Sequence, residues 1–165
     1  MLTIIAAITA SRGAIGRKGE LIYHISEDLK RFKALTTGHT VIMGRHTFES
    51  LPKGALPNRR NIVITSDPDW SAPSTETAHS VAEAIEMASA DPEAFIIGGG
   101  RVYADTLPLA DKLAITLIEG AEPADADTFF PPIDPSQWEI TDMSEPQTDP
   151  RTSVPYRFVT FSRKK

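Results

Sequence analysis

The chain has 165 residues, 41% hydrophobic and 24% charged, which is ordinary usage for a globular protein built on one core. A formal net charge of −5 argues against a nucleic-acid partner or an anionic membrane surface, and the basic cluster Arg163-Lys164-Lys165 reads as a solvated tail. There is no cysteine, which excludes disulfides, thiolate catalysis and cysteine-bearing zinc sites together and fits a cytoplasmic protein.

Residues 2–8 are a continuous apolar run with no basic residues before it. They are too short to span a bilayer, so they predict a buried first strand rather than a signal peptide or membrane anchor. A polar, glycine-bearing loop follows to about residue 21. Ser26 is placed to cap a helix running to about residue 35, with Glu27 and Asp28 in its first turn. Residues 40–43 predict a second strand ending at Gly44, followed by a short helix near 47–50 and a turn-rich segment from Pro52 to Pro57. Residues 61–65 predict a third strand, and Ser80-Val81-Ala82-Glu83 has the form of a capping box opening a helix to about residue 90. A fourth strand at 94–97 runs into Gly98-Gly99-Gly100 and a helix over 101–107, and 112–118 is a fifth. Residues 138–143 and 156–162 predict two last strands paired antiparallel. The alternation implies an α/β fold with a single domain over 1–165. Its sheet is mainly parallel and twisted, of about eight strands, with helices on both faces and an antiparallel C-terminal strand pair.

The helix after Ser26 carries an unusual acid. At about 100° per residue, Ile25, Asp28, Leu29, Phe32 and Leu35 share one stripe, with Glu27, Lys30 and Ala34 opposite. A carboxylate on an apolar face is costly unless paired or protonated, and burial there raises its pKa toward values that suit proton chemistry. No cation shares that stripe. A first-turn acid also favours any helix N-terminus, but that reading covers Glu27 equally and leaves the apolar placement of Asp28 unexplained.

Ligands of open parallel sheets bind beyond the carboxyl ends of the strands. Three such ends carry suitable chemistry for phosphate: Gly44-Arg45-His46-Thr47, Ile97-Gly98-Gly99-Gly100-Arg101-Val102, and Thr65-Ser66. Each is weak alone, and the glycine triplet does not match G-x-G-x-x-G. Their convergence on one sheet edge points to a nucleotide, and Arg45 near Ser66 favours a ribose 2′-phosphate, hence NADPH over NADH.

Several segments resemble bacterial dihydrofolate reductase: Ile5-Ala6-Ala7, Ile15-Gly16, Asp28-Leu29 with Phe32, and Val41-Ile42-Met43-Gly44-Arg45-His46-Thr47-Phe48-Glu49-Ser50. Leu56-Pro57-Asn58-Arg59-Arg60-Asn61-Ile62, Ile96-Ile97-Gly98-Gly99-Gly100-Arg101-Val102-Tyr103 and Asp127-Thr128-Phe129-Phe130-Pro131 extend the likeness over essentially the whole chain. The resemblance implies reduction of dihydrofolate to tetrahydrofolate by hydride transfer from NADPH, serving one-carbon metabolism and thymidylate and purine synthesis. It further implies a monomer that binds antifolate inhibitors.

On that resemblance Asp28 holds the pterin 2-amino and N3 groups, and Thr116 shares a hydrogen bond with it. Ile5 and Phe32 pack around the pterin and benzoyl rings, and Ala6 and Leu56 also belong to the substrate site. Arg59 pairs with the glutamate α-carboxylate through its guanidinium fork. Ala7, Ile15 and Gly16 line the nicotinamide side. Gly44, Arg45, His46, Thr47, Thr65, Ser66, Ile97, Gly98, Gly99, Gly100, Arg101, Val102 and Tyr103 hold the rest of NADPH. The Gly98-Gly99 peptide is expected to be cis, and Asp127 is expected to help hold the loop over 15–21 closed.

One departure stands out: Ile22-Tyr23 replaces the proline and tryptophan usual in the family, so Tyr23 either supplies a hydroxyl or fills space. His24, His39, His46 and His79 show no metal-ligand spacing, Trp70 and Trp138 read as packing residues, and Asp67, Asp69 and Asp91 as turn formers. The competing readings are a riboflavin-pathway NADPH reductase of the same architecture and a non-catalytic folate- or nucleotide-binding module.

Overall fold

Strands with two apolar faces occupy the middle of the sheet, and the chain supplies them in alternation with helices. The computed structural model describes residues 1–17 and 20–165, with only the backbone of Arg17 and Glu20. Strands β1 (Leu2–Thr9), β4 (Thr40–Gly44), β5 (Arg60–Ile64), β6 (Thr75–Ala78), β7 (Ala94–Gly98) and β8 (Lys112–Ile118) run parallel. Strand β12 (Pro155–Arg163) pairs antiparallel with β8, and β10 (Trp138–Met143) and β11 (Gln147–Thr148) pair antiparallel with β12. The order across the sheet is β10-β12-β8-β1-β7-β4-β5-β6, with β11 alongside β12, so β7 lies between β1 and β4. The helices are α1 (Ser26–Thr36), α2 (Arg45–Glu49), α3 (Val81–Met87) and α4 (Gly100–Thr106).

The two-residue period of each strand divides its side chains between two cores. Ile5, Val41, Met43, Val63, Phe95 and Ala114 pack with Phe48 of α2 and with Phe32 and Leu35 of α1. Ile4, Ile42, Ile62, Ile96, Leu113 and Ile115 pack on the other face with Ala84 of α3 and Val102 and Tyr103 of α4. Each such aliphatic side chain contributes about 1.5–3 kcal/mol by leaving water. The expected sheet, helices on both faces and antiparallel terminal pair are all present.

Several local expectations need correction. Ser26 does not cap α1: it is the first helical residue, Ile25 holds the extended cap position, and no side chain caps the helix. Leu29 is 49% exposed although it lies on the apolar stripe, because the sheet meets α1 along the Ile25, Asp28 and Phe32 side. Helix α2 starts at Arg45, two residues before the expected start, and α3 stops at Met87, although Ser80 caps it through the Glu83 N–H as the capping box requires. The loop to residue 21 contains β2 (Ala14–Arg17) and β3 (Glu20–Leu21), and β2 also pairs with β9 (Thr128–Phe129). These short strands, like β6 and β11, have no apolar alternation, and their pairing partners alone define them.

Two residues read as local prove to act at long range. Asp91 accepts from the Thr40 N–H at 2.6 Å, from His39 at 3.1 Å and from the Glu93 N–H at 3.0 Å, joining the starts of β4 and β7. Arg163 is not a solvated tail: it donates to the carbonyls of Ala110 and Leu107 and lies 4.4 Å over the Trp138 ring.

Candidate active site

The sheet register places the reaction centre. Thr116 lies opposite Ala7 on one side and Phe158 on the other, so the three side chains share the face that α1 covers. Asp28 descends from the first turn of α1 onto this row, and the Thr116 hydroxyl donates a short hydrogen bond to its carboxylate. Burial pushes the Asp28 carboxyl above the ordinary carboxylate range, and the Thr116 bond and the Arg31 charge draw it part of the way back. The helix-face argument therefore holds for Asp28, but the expectation of no stabilising cation does not. Arg31, three residues on along α1, supplies that charge.

Phe32, one turn beyond Asp28, packs with Ile5, Leu56 and Leu35 to form an apolar wall. Beside it stands Arg59, its guanidinium carbon 6.0 Å from the Phe32 ring centroid. Arg59 donates to the Pro57 carbonyl at 2.9 Å and the Thr36 hydroxyl at 3.1 Å, which fixes the fork, and among the described residues it pairs with no carboxylate. Asn61 holds the turn behind it, accepting from the Leu56 N–H and donating to the carbonyls of Leu56 and Arg59. A groove of about 640 Å³ continues outward past Leu56, Pro57 and Arg59 toward Ala72 and Ser74.

On the other side of Asp28, Ala7, Ala14, Ile15, Leu21, Ile22, Tyr23 and Ile118 enclose a narrow apolar cleft. Gly16 pairs with both Leu21 and Thr128, and the Asp127 N–H donates to the Gly16 carbonyl at 3.1 Å. The Asp127 backbone therefore ties this loop to the chain after β8. Glu122 ties its beginning: it accepts from the Thr9 hydroxyl and from the Arg12 backbone and guanidinium, and these bonds hold its carboxyl down to about 2. Tyr23 ties its end, donating its hydroxyl to the Ala121 carbonyl at 2.7 Å. Neither reading of Tyr23 covers this: its hydroxyl is spent on backbone beyond β8, so the residue acts as a latch. No local signal marks Glu122 or Ala121 for this role.

The third region lies at the carboxyl ends of β4, β5 and β7. The Gly98-Gly99 peptide is cis, and a Cβ on Gly99 would stand 3.1 Å from the Thr47 hydroxyl, a contact tight enough that the hydroxyl would have to give by a few tenths of an ångström. Gly44 faces Val102 equally closely, at 3.2 Å for a built Cβ. Tyr103 passes beneath and donates to the Ile5 carbonyl at 2.9 Å, connecting this edge to the substrate wall. Arg45 reaches toward Asp67, next to Ser66, at 3.5 Å and toward Glu49 at 3.4 Å, beside the Trp70 ring. Thr65 is buried, its hydroxyl accepting from the Asp67 N–H. His46 and Ser66 are exposed, and Arg101 is turned along α4 to Asp105. This bare-backbone edge with flanking cations and hydroxyls suits a phosphate-bearing dinucleotide. Among the described residues no cluster of three acidic or histidine side chains could hold a metal ion.

The family model for dihydrofolate reductase matches residues 1–163. The dihydrofolate reductase of Bacillus subtilis is 37% identical over 164 residues, covering 99% of this chain and 95% of that protein. The type 3 dihydrofolate reductase of Salmonella typhimurium is 39% identical over 165 residues, covering 100% and 99%. A solved structure of dihydrofolate reductase from Enterococcus faecalis, complexed with NADP(H) and RAB-propyl, superposes with a TM-score of 0.90 at 36% identity and covers 100% of this chain and 97% of that one.

Proposed function

The chain belongs to the dihydrofolate reductase family and reduces dihydrofolate to tetrahydrofolate, and we propose that its reaction is organised around Asp28. The observation that carries this assignment is the half-buried Asp28 carboxylate bonded to Thr116 of β8. When bound, NADPH supplies the hydride. Asp28 presents its carboxylate to the 2-amino and N3 groups of the pterin, and Thr116 prevents it from turning away. Burial strengthens that pairing by excluding competing water. With an oxygen committed to Thr116, Asp28 acts by orienting the ring and favouring positive charge at N5, whose proton comes from water.

Ile5, Ala6, Phe32 and Leu56 enclose the rings of the substrate, and Arg59 takes the glutamate α-carboxylate through the face of its fork not occupied by Thr36 and Pro57. Ala7, Ile15 and Gly16 would hold the nicotinamide. Gly44, Arg45, Thr47, Thr65, Ser66, residues 97–100, Val102 and Tyr103 would hold the remainder, with Arg45 moving from Asp67 and Glu49 to the 2′-phosphate. His46 and Arg101 would join only by turning toward the cofactor. Antifolate inhibitors would compete for the Asp28 and Phe32 end.

The same reading takes residues 1–165 as one domain, monomeric and cytoplasmic. Two cores sharing one sheet support the single domain, and no helix among the described residues is long and apolar enough to cross a membrane. The relatives lend no support to a riboflavin-pathway reductase or a non-catalytic module. NADPH oxidation followed by absorbance with and without dihydrofolate tests the assignment, because the cofactor is consumed as it gives up its hydride. A rate indifferent to dihydrofolate would sink it.

A further inference from the structure

Arg31 is a half-buried cation that the reaction as described does not use. It lies three residues after Asp28, the spacing at which side chains on a helix become neighbours. Its guanidinium carbon sits 4.4 Å over the Phe158 ring. Phe158 is the register partner of Thr116, and Thr116 bonds Asp28. The helix, strands β8 and β12 and two side-chain contacts therefore close a ring that holds the cation beside the acid.

We propose that Arg31 is a positioning residue for this site, a cation clamped on Phe158 that favours the ionised form of Asp28 and so prepares it to grip the pterin. This rests on the assignment of Asp28 given above. Burial alone works against a carboxylate here, and one hydrogen bond from Thr116 offsets only part of that. An arginine suits the task because it stays charged under partial desolvation and stacks on an aromatic face.

The other charged and titratable groups around the pair do not substitute for it. Glu27 on α1 is exposed and bears the same charge as Asp28. Tyr103 of α4 and Tyr156 of β12 both feel the Asp28 charge, and burial pushes each phenol upward, so both stay neutral. Asp142 on β10 also attracts Arg31. The guanidinium thus feels two carboxylates, and one of them belongs to the site.

The test uses Arg31→Met and Arg31→Gln, which remove the charge, and Arg31→Lys, which keeps it. The Asp28 carboxyl carbon is followed by NMR titration in the unliganded protein, and hydride transfer is followed in single turnovers across pH. Either neutral variant should titrate Asp28 at higher pH than wild type, and Arg31→Lys should stay near wild type. On the alkaline limb the neutral variants should transfer hydride roughly three- to tenfold faster than wild type, because a nearby cation opposes protonation of the acid and pterin together. An Asp28 titration unchanged in the neutral variants overturns the proposal, as does an equal displacement in Arg31→Lys. The unliganded titration does not depend on turnover. If wild type failed to use dihydrofolate, the reductase assignment would fall while the Arg31–Asp28 coupling was still measured.

Discussion

The Thr116 hydroxyl on β8 donates to the Asp28 carboxylate on α1, across 88 residues of sequence. The bond gives Asp28 a fixed direction and leaves it poorly solvated, two conditions that only a folded sheet with a helix laid across it provides together. Asp28→Asn keeps the shape and removes the charge, so it should lower kcat/KM by ~10²-fold or more at neutral pH. Activity should partly return in acid, where dihydrofolate arrives protonated. Glu27→Gln, one residue away and exposed, should change little. Near-normal activity of Asp28→Asn at pH 7 would remove Asp28 from its role.

The same residue predicts a cost in stability. Its folded pKa is raised, so the free protein is most favoured with Asp28 protonated and loses that advantage as pH rises through the folded value. Asp28→Asn should therefore melt higher than wild type at alkaline pH, by about 2–4 °C for each kcal/mol relieved, with the gap closing in acid. Calorimetry at several pH values checks this, and a gap that widened in acid would contradict it.

Arg59 is anchored by Thr36 and Pro57, so it has a structural part as well as the proposed recognition of a carboxylate. Arg59→Lys should raise the KM for dihydrofolate by about tenfold or more, the loss expected for a charge-assisted hydrogen bond, with little effect on a pterin lacking the glutamate tail. Equal losses for both substrates would show that only the anchoring matters.

Gly120 makes room for Tyr23. A Cβ there would fall 2.6 Å from the ring's Cζ and closer still to its hydroxyl, so Gly120→Ala must push the ring off the chain after β8. Steady-state turnover should change more than single-turnover hydride transfer, since the latch holds the loop beside the apolar cleft and not the substrate. Tyr23→Phe, which loses one hydrogen bond of about 0.5–1.5 kcal/mol, should follow in the same direction more mildly. A fall confined to the single-turnover rate would place Tyr23 in the reacting arrangement instead.

Asp91 lies far from the chemistry and predicts acid behaviour. Burial alone would raise its pKa, but bonds from His39, Glu93 and Thr40 outweigh that and bring it down to about 2. The group therefore stabilises the fold above its ordinary carboxylate range and ceases to do so as pH falls toward 2. Asp91→Asn should lower stability to urea by about 1–2 kcal/mol at neutral pH, and the difference from wild type should shrink on acidification below about pH 4. A difference constant with pH would show that packing, not charge, is lost.

Much of the fold was legible in local pattern. The apolar runs at the positions of β1, β4, β5, β7 and β8 are long enough to announce strands buried on both faces, and the glycines after β4 and β7 mark where the backbone must be bare. The short strands β2, β3, β6, β9 and β11 were not legible, because two to four residues are too few to set up an apolar alternation. At the site, Asp28 showed itself by sitting on the wrong helix face. Thr116 and Arg59 followed from resemblance, whereas Phe32 already lay on the apolar stripe of α1 and the glycine cradle was marked by its place at a strand end.

What the sequence by itself determined is thus the set of elements with their own periodicity, and the one acid whose placement broke that periodicity. Tertiary structure alone decided that Arg31 lies over Phe158 beside that acid, that Tyr23 latches over Gly120, and that Asp91 and Arg163 join distant segments. The physical reason is one of range. Hydrophobic burial repeats every two or 3.6 residues and can be read along the chain, whereas a hydrogen bond or an ion pair depends on one partner brought near by folding.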